Sequence, residues 1–242
     1  MFIPVGDTPN PRATPYMTWL LIGINMAVFL LISIPLIGRP ADPSDPLFQE
    51  FLRIVQERGL DAGRIAAQSS AYDLFVFRHG FRPAEFAVSD LFTSLFLHAG
   101  WPHLAGNMLF LWIFGDNVEY RLGKGGYLLM YLSTGVAATL FFSLFASDSG
   151  IPMLGASGAI SGVLGCYFWW FPQNQVKVFI FLFPFWMDVI LVPARIVLGL
   201  YLLVDNLLPF LLQAGAAAGV AHGAHIGGFL AGLGLALVLG RR

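Results

Sequence analysis

Residues 16–37 run without a single charged side chain, broken only by Asn25 and a few hydroxyls. A helix needs about 20 mostly apolar residues to cross roughly 30 Å of hydrocarbon. The run is too long for the core of a signal peptide, the stretch just before it holds one basic residue, Arg12, and no small-x-small cleavage site follows. A retained first membrane span is expected. The rest of the chain agrees. Apolar residues make up 57% of it and charged residues 11%, against roughly 25% charged in an ordinary soluble domain. So few charges exclude a soluble enzyme, a disordered chain and a nucleic-acid binder, which needs a clustered basic face. The net charge of −1 gives long-range steering no role. A lone cysteine, Cys166, excludes an intramolecular disulfide and a multi-cysteine metal site.

Four further spans are expected over residues 103–118, 127–146, 157–171 and 216–239. Residues 176–212 are long enough for two crossings but are interrupted by Pro184, Asp188, Pro193 and Arg195. The reading taken is one span over 194–212 and an interfacial or re-entrant segment over 176–192. The result is an all-α polytopic membrane protein of six transmembrane helices. A cytoplasmic segment covers 1–15 and a membrane domain 16–242, with an outer loop over 38–90. That loop carries two short amphipathic helices, over 45–60 and 61–71. Phe48, Phe51, Leu52, Ile54 and Val55 form an apolar stripe that suits the bilayer surface. With six spans both termini share a side, whose short loops hold Arg12, Arg121, Lys124, Lys177, Arg195, Arg241 and Arg242. The opposite short loops, 147–156 and 213–215, hold no Lys or Arg, so both termini are expected in the cytoplasm. A prokaryotic inner membrane is expected, because no Arg- and Ser-rich presequence precedes the first span.

Polar residues inside spans suggest function. Gly155-Ala156-Ser157-Gly158 opens a span of only about 15 residues, roughly 22 Å long. Ser157 is therefore expected at a helix N-terminus below the outer surface, where free amides carry partial positive charge. A serine there can attack a carbonyl while its own N–H stabilises the oxyanion. Helix packing through Gly158, Gly162 and Gly165 is the plainer use of the same residues. His225, in Ala224-His225-Ile226-Gly227-Gly228, falls on the same side at similar depth. Two small-xxx-small faces, Gly158/Gly162 and Gly228/Gly232, let the backbones close and bring imidazole to hydroxyl. His222 ranks second as the base. His103 and Asn107, at i and i+4, can serve an oxyanion pocket or simply bond neighbouring helices, and His98 can hold its loop in place. Asp205-Asn206, in the 194–212 span, reads first as a satisfied interior polar pair; the aspartate can instead be protonated, paired with a histidine or exposed to the cavity.

Taken together these motifs resemble the rhomboid family of intramembrane serine proteases. The likeness runs from Phe2-Ile3-Pro4 and Asp7 through His98-Ala99-Gly100-Trp101-Pro102-His103 with Asn107. It continues through Gly115 and Glu119-Tyr120-Arg121-Leu122-Gly123 to the two motifs around Ser157 and His225, with Gly232. The resemblance implies Ser157 as nucleophile, His225 as general base, and His103 and Asn107 as oxyanion stabilisers. It also implies a fifth helix acting as a lateral gate, with Glu119, Arg121, Gly155, Gly158, Gly228 and Gly232 structural. The implied substrates are transmembrane proteins within the lipid bilayer, cleaved through an acyl-enzyme, with no cofactor, metal or nucleic acid. Some members carry tyrosine four residues after the serine, packed on the histidine. Here that position is Ser161, so another group must orient the His225 ring. An inactive rhomboid-like chaperone and a transporter are the alternatives; both dyad residues argue against the first, and the absence of an inverted repeat against the second.

Overall fold

The computed structural model describes residues 2–182, 186–212 and 222–240. In chain order the elements are β1 (Phe2–Thr8), α1 (Tyr16–Ile37), α2 (Pro46–Glu57), α3 (Ala62–Gln68), α4 (Ala71–His79), α5 (Trp101–Ser143) and α6 (Ser157–Trp170). There follow β2 (Gln175–Leu182), β3 (Trp186–Pro193), α7 (Ala194–Leu212) and α8 (His222–Leu239). Among the described residues α1, α5, α7 and α8 are long and apolar enough to cross a membrane. The chain forms two compact units, one of residues 1–22, 105–145 and 157–242, the other of 23–104 and 146–156.

In the first unit, α5 is two helices joined at Gly123, whose φ of 69° and ψ of 166° break the helical path. A straight helix would hold residues 115 and 127 about 18 Å apart. Instead, a Cβ built on Gly115 would stand 2.7 Å from the Tyr127 hydroxyl. The chain therefore turns back at Gly123, where the sequence expects the break between 103–118 and 127–146.

α6 and α8 pack backbone to backbone. A Cβ on Gly228 would lie 2.0 Å from the Gly158 carbonyl oxygen, one on Gly232 1.9 Å from that of Gly162, and one on Gly165 2.1 Å from that of Phe229. Gly158 and Gly162 also face Ala138 and Thr134 of α5. Inside lipid, helices gain little from hydrophobicity, so such close van der Waals contact between small residues does the holding.

Charged groups sit at the helix ends. The Glu119 carboxylate accepts hydrogen bonds from the Met17 N–H (2.8 Å), the Thr18 N–H (2.7 Å) and the Thr18 hydroxyl (2.8 Å), capping the first turn of α1. A negative group there meets unpaired amides and the positive end of the helix dipole. At the C-terminal end of α8 the Gly240 carbonyl accepts from Arg121 (2.8 Å) and from the Trp170 indole N–H (2.8 Å), with the guanidinium 4.5 Å above the Trp170 ring.

The expected all-α fold needs correction: the segment expected as interfacial or re-entrant over 176–192 supplies two strands. β1, β2 and β3 form an antiparallel sheet in that order, with Phe2 opposite Ile180 and Val176 opposite Val192. Val176, Val178 and Ile180 are buried at every second position, while Met187, Val189 and Leu191 are exposed. Period-2 burial of β-branched residues is strand behaviour, and an apolar run of this length does not declare itself by hydrophobicity alone. Asp7 of β1 is buried, accepting hydrogen bonds from the Asn117 amide (2.9 Å) and the Tyr167 hydroxyl. Burial raises its pKa to about 6, against an opposing pull from the Tyr167 bond.

α1 and α7 each contain a π-turn, over Phe29–Ser33 and Leu203–Leu207. Ile34 and Leu208 donate to carbonyls five residues back, Phe29 and Leu203. Each immediately precedes a proline, Pro35 or Pro209. Proline has no N–H to donate and its ring crowds the carbonyl four residues back, so the helix widens just before it. The expected last-span residues 216–221, the loop 213–215, Pro184, Arg241 and Arg242 lie outside the described residues.

In the second unit, α2 begins at Asp45, whose carboxylate accepts from the Leu47 N–H (2.9 Å), and α3 at Asp61, which accepts from the Arg64 N–H (3.0 Å). Ser70 and Asp73 make a reciprocal capping box on α4, a helix beyond the two expected here. The α2 stripe does not lie free for the bilayer. Phe48 packs with Ala41 and Leu74, Phe51 and Leu52 lean on that cluster, and Val55 is buried. Arg82 ties the loop together, 3.0 Å from Glu50, 2.7 Å from Glu85 and 4.1 Å above the Phe77 ring.

The α6–α8 contact yields a direct test. Gly232→Ala forces the two backbones apart and costs about 1–3 kcal/mol, the range for overpacking a tight core. It should appear as a lower thermal midpoint in detergent; an unchanged midpoint would contradict the packing described.

Candidate active site

The chain reaches α6 through Gly155, whose φ of 124° is strained for any residue with a side chain. Gly155 donates its N–H to the Ser94 carbonyl at 2.9 Å. Ser157 then stands as the first residue of α6, where the leading amides of a helix have no partner within it. With 14 residues, α6 is about 21 Å long.

On α8, one turn into the helix, His225 meets it. His225 Nε2 is 2.7 Å from Ser157 Oγ, joining residues 68 positions apart. Neither residue is fully buried. The other ring nitrogen, Nδ1, is 2.6 Å from Asn206 Oδ1. Asn206 is buried in the π-turn of α7, and its Nδ2 donates to the Tyr201 carbonyl at 2.7 Å. That donation aims Oδ1 at the imidazole, so Nδ1 carries the proton and Nε2 presents a lone pair to the serine. The Tyr201 hydroxyl in turn lies 2.7 Å from Ser161 Oγ on α6, and its ring centre is 6.3 Å from that of His225. Ser157, His225, Asn206, Tyr201 and Ser161 thus form two short polar chains linking α6, α7 and α8.

Asn107, in the same unit on α5, is buried, and its Nδ2 has no hydrogen-bond partner among the described residues. A buried unmade donor is costly unless something arrives to accept from it. His103 belongs to the second unit. Its Nδ1 accepts from the Ala99 N–H at 3.3 Å, which leaves Nε2 as its donor. His98 is fully buried beside it, ring centres 5.1 Å apart, and its backbone is bonded at both polar groups by the Tyr72 hydroxyl. Burial, aided by His103, pushes the His98 imidazole down to about 4 and keeps it neutral at pH 7. His222 contacts the His225 ring edge-on at 6.5 Å. Asp205 is exposed. Among the described residues no three His, Cys, Asp or Glu side chains gather to hold a metal ion.

Known proteins resemble much of this chain. The Rhomboid domain matches residues 85–242, about two thirds of the chain. The chain belongs to the rhomboid family. It is 37% identical over 99 residues to the mitochondrial Rhomboid protein 1 of Saccharomyces cerevisiae, covering 39% of this chain and 29% of that protein. It is 45% identical over 75 residues to the rhomboid protease GluP of Bacillus subtilis, covering 31% and 14%. It is also 45% identical over 71 residues to the chloroplastic Rhomboid-like protein 11 of Arabidopsis thaliana, covering 29% and 25%. The matched stretches thus span less than a third of each of these relatives. Family membership and span-capable helices make this rhomboid a membrane protein.

The residues alone pair Ser157 with His225 but leave the orienting group unnamed, with Asp205-Asn206 standing as a satisfied interior polar pair. The signal was the substitution of Ser161 for tyrosine in this rhomboid. The structure brings Tyr201 to Ser161 from α7 and sets Asn206 on the imidazole. No side-chain pattern declares which of the two adjacent polar residues faces inward. Nitrogen-15 NMR of histidine-labelled protein above pH 8 should find His225 as the neutral Nδ1–H form. A dominant Nε2–H form would contradict the bonding described.

Proposed function

We propose that this rhomboid is an intramembrane serine endopeptidase that cuts peptide bonds in or near transmembrane segments of other membrane proteins. The observation that carries the reading is the 2.7 Å contact between Ser157 Oγ and His225 Nε2 at the start of a helix. His225 takes the serine proton as Oγ attacks the scissile carbonyl carbon. Negative charge then develops on the carbonyl oxygen, where the Ser157 N–H, the α6 N-terminus and Asn107 Nδ2 act as stabilisers. The imidazolium returns its proton to the leaving amine, and the acyl-enzyme ester remains. Water, deprotonated by the same imidazole, hydrolyses that ester and restores the serine. The names of relatives such as GluP support the protease reading, as they are called rhomboid proteases.

A helical substrate hides its carbonyls in its own hydrogen bonds, so the segment to be cut must unwind first. Helix-destabilising and small residues are therefore expected beside the cut. We read the topology as six spans, with α5 supplying two and α6 a short one, and both termini in the cytoplasm of a prokaryotic cell. The support is the charge asymmetry: Arg12, Arg121, Lys124, Lys177 and Arg195 fall on one side, against no Lys or Arg in residues 147–156.

Ser157→Ala should lower cleavage of a model transmembrane substrate by at least ~10³-fold while insertion and thermal midpoint stay near wild type. Cleavage at the wild-type rate would overturn the assignment.

A further inference from the structure

We propose that Asn206 is a positioning residue for His225, making the catalytic competence of the base depend on the placement of α7. The inference rests on the dyad reading and goes one step further into the same site. A general base must hold its proton on the far nitrogen and its lone pair toward the nucleophile, in a fixed ring orientation. Asn206 Oδ1, 2.6 Å from Nδ1, enforces both. Its own orientation is locked because Nδ2 is committed to the Tyr201 carbonyl at 2.7 Å. With 1% of its surface exposed, it meets no competing bulk water.

The backbone selects this residue over its charged neighbour. Each residue of a helix turns its face by about 100°, and the π-turn over Leu203–Leu207 presents Asn206 inward while Asp205 points out. A neutral amide suits the task. It orients the ring through a neutral acceptor, without placing a second charge beside it. π-turns of this kind recur at functional sites. Asn206 and Tyr201 both ride on α7, while their partners Ser161 and His225 ride on α6 and α8. Moving α7 aside breaks both bonds at once and releases the ring. In this arrangement the base works at full rate only when α7 is seated.

The test uses the full chain in detergent or vesicles, with a model transmembrane substrate and Ser157→Ala beside the Asn206 variants. Asn206→Ala should reduce kcat about 10- to 100-fold with KM changed less than about 2-fold, a part of the 10²–10⁴-fold a general base supplies. Asn206→Asp should keep most of the rate. Its carboxylate favours imidazolium, so the acid limb of its kcat–pH profile should move up by about one unit. Wild-type kcat in Asn206→Ala while Ser157→Ala stays inert would overturn the positioning role and leave the dyad standing. Should Asn206→Ala fail to insert, the near-isosteric Asn206→Asp decides: an unmoved acid limb overturns the proposal. Cleavage by Ser157→Ala would remove the dyad reading and this proposal with it, a result no Asn206 variant can produce.

Discussion

Three glycine contacts between α6 and α8 set the distance on which the rest of the site depends. At Gly228, Gly232 and Gly165 one backbone meets the other with no room for a methyl group. Only at that separation does a short serine side chain at the head of α6 reach an imidazole one turn into α8. In hydrocarbon this approach has no competitor, because lipid tails fill a gap as readily as Leu does and only small residues reward close contact. Glycine costs helix stability in water, by about 1 kcal/mol against alanine. In this pair of helices the loss is offset by van der Waals contact along the whole seam.

Polar groups in this molecule are placed where the helices leave something unsatisfied. Glu119 answers the free amides at the start of α1, and Arg121 with Trp170 answers the last carbonyl after α8. Asn206 answers His225 from the one turn of α7 that a following proline has loosened. Asn107 Nδ2, on α5, is a buried donor with no partner among the described residues. The proposed chemistry supplies what it lacks, since an oxyanion forms only during turnover. The site is therefore not a polar cluster dropped into an apolar bundle. It is built from helix ends and a helix defect, the few places where backbone groups are free inside lipid.

Much of this was legible in the residues. Runs of apolar side chains located α1, α7 and most of α8, and Gly123 marked the turn inside α5. The small-residue faces around Ser157 and His225 announced a close approach before any coordinates. The misses have separate causes. Residues 176–192 carry a β pattern hidden within general hydrophobicity, because in a membrane protein both the buried and exposed faces are apolar and the alternation loses contrast. Asn206 was hidden because nothing in the residues places position 206 beside position 225. The amphipathic stripe of α2 was read correctly as a stripe and assigned the wrong partner: it faces Leu74 and its neighbours rather than lipid.

The central claim is that the Ser157 hydroxyl, activated by His225, is a nucleophile facing a preformed oxyanion site. A crystal structure of the protein after reaction with a fluorophosphonate tests it most directly. The account predicts phosphorus bonded to Ser157 Oγ, with a phosphonyl oxygen within hydrogen-bond distance of the Ser157 N–H and Asn107 Nδ2. An adduct on any other residue, or a Ser157 left unmodified beside an intact His225, would contradict it.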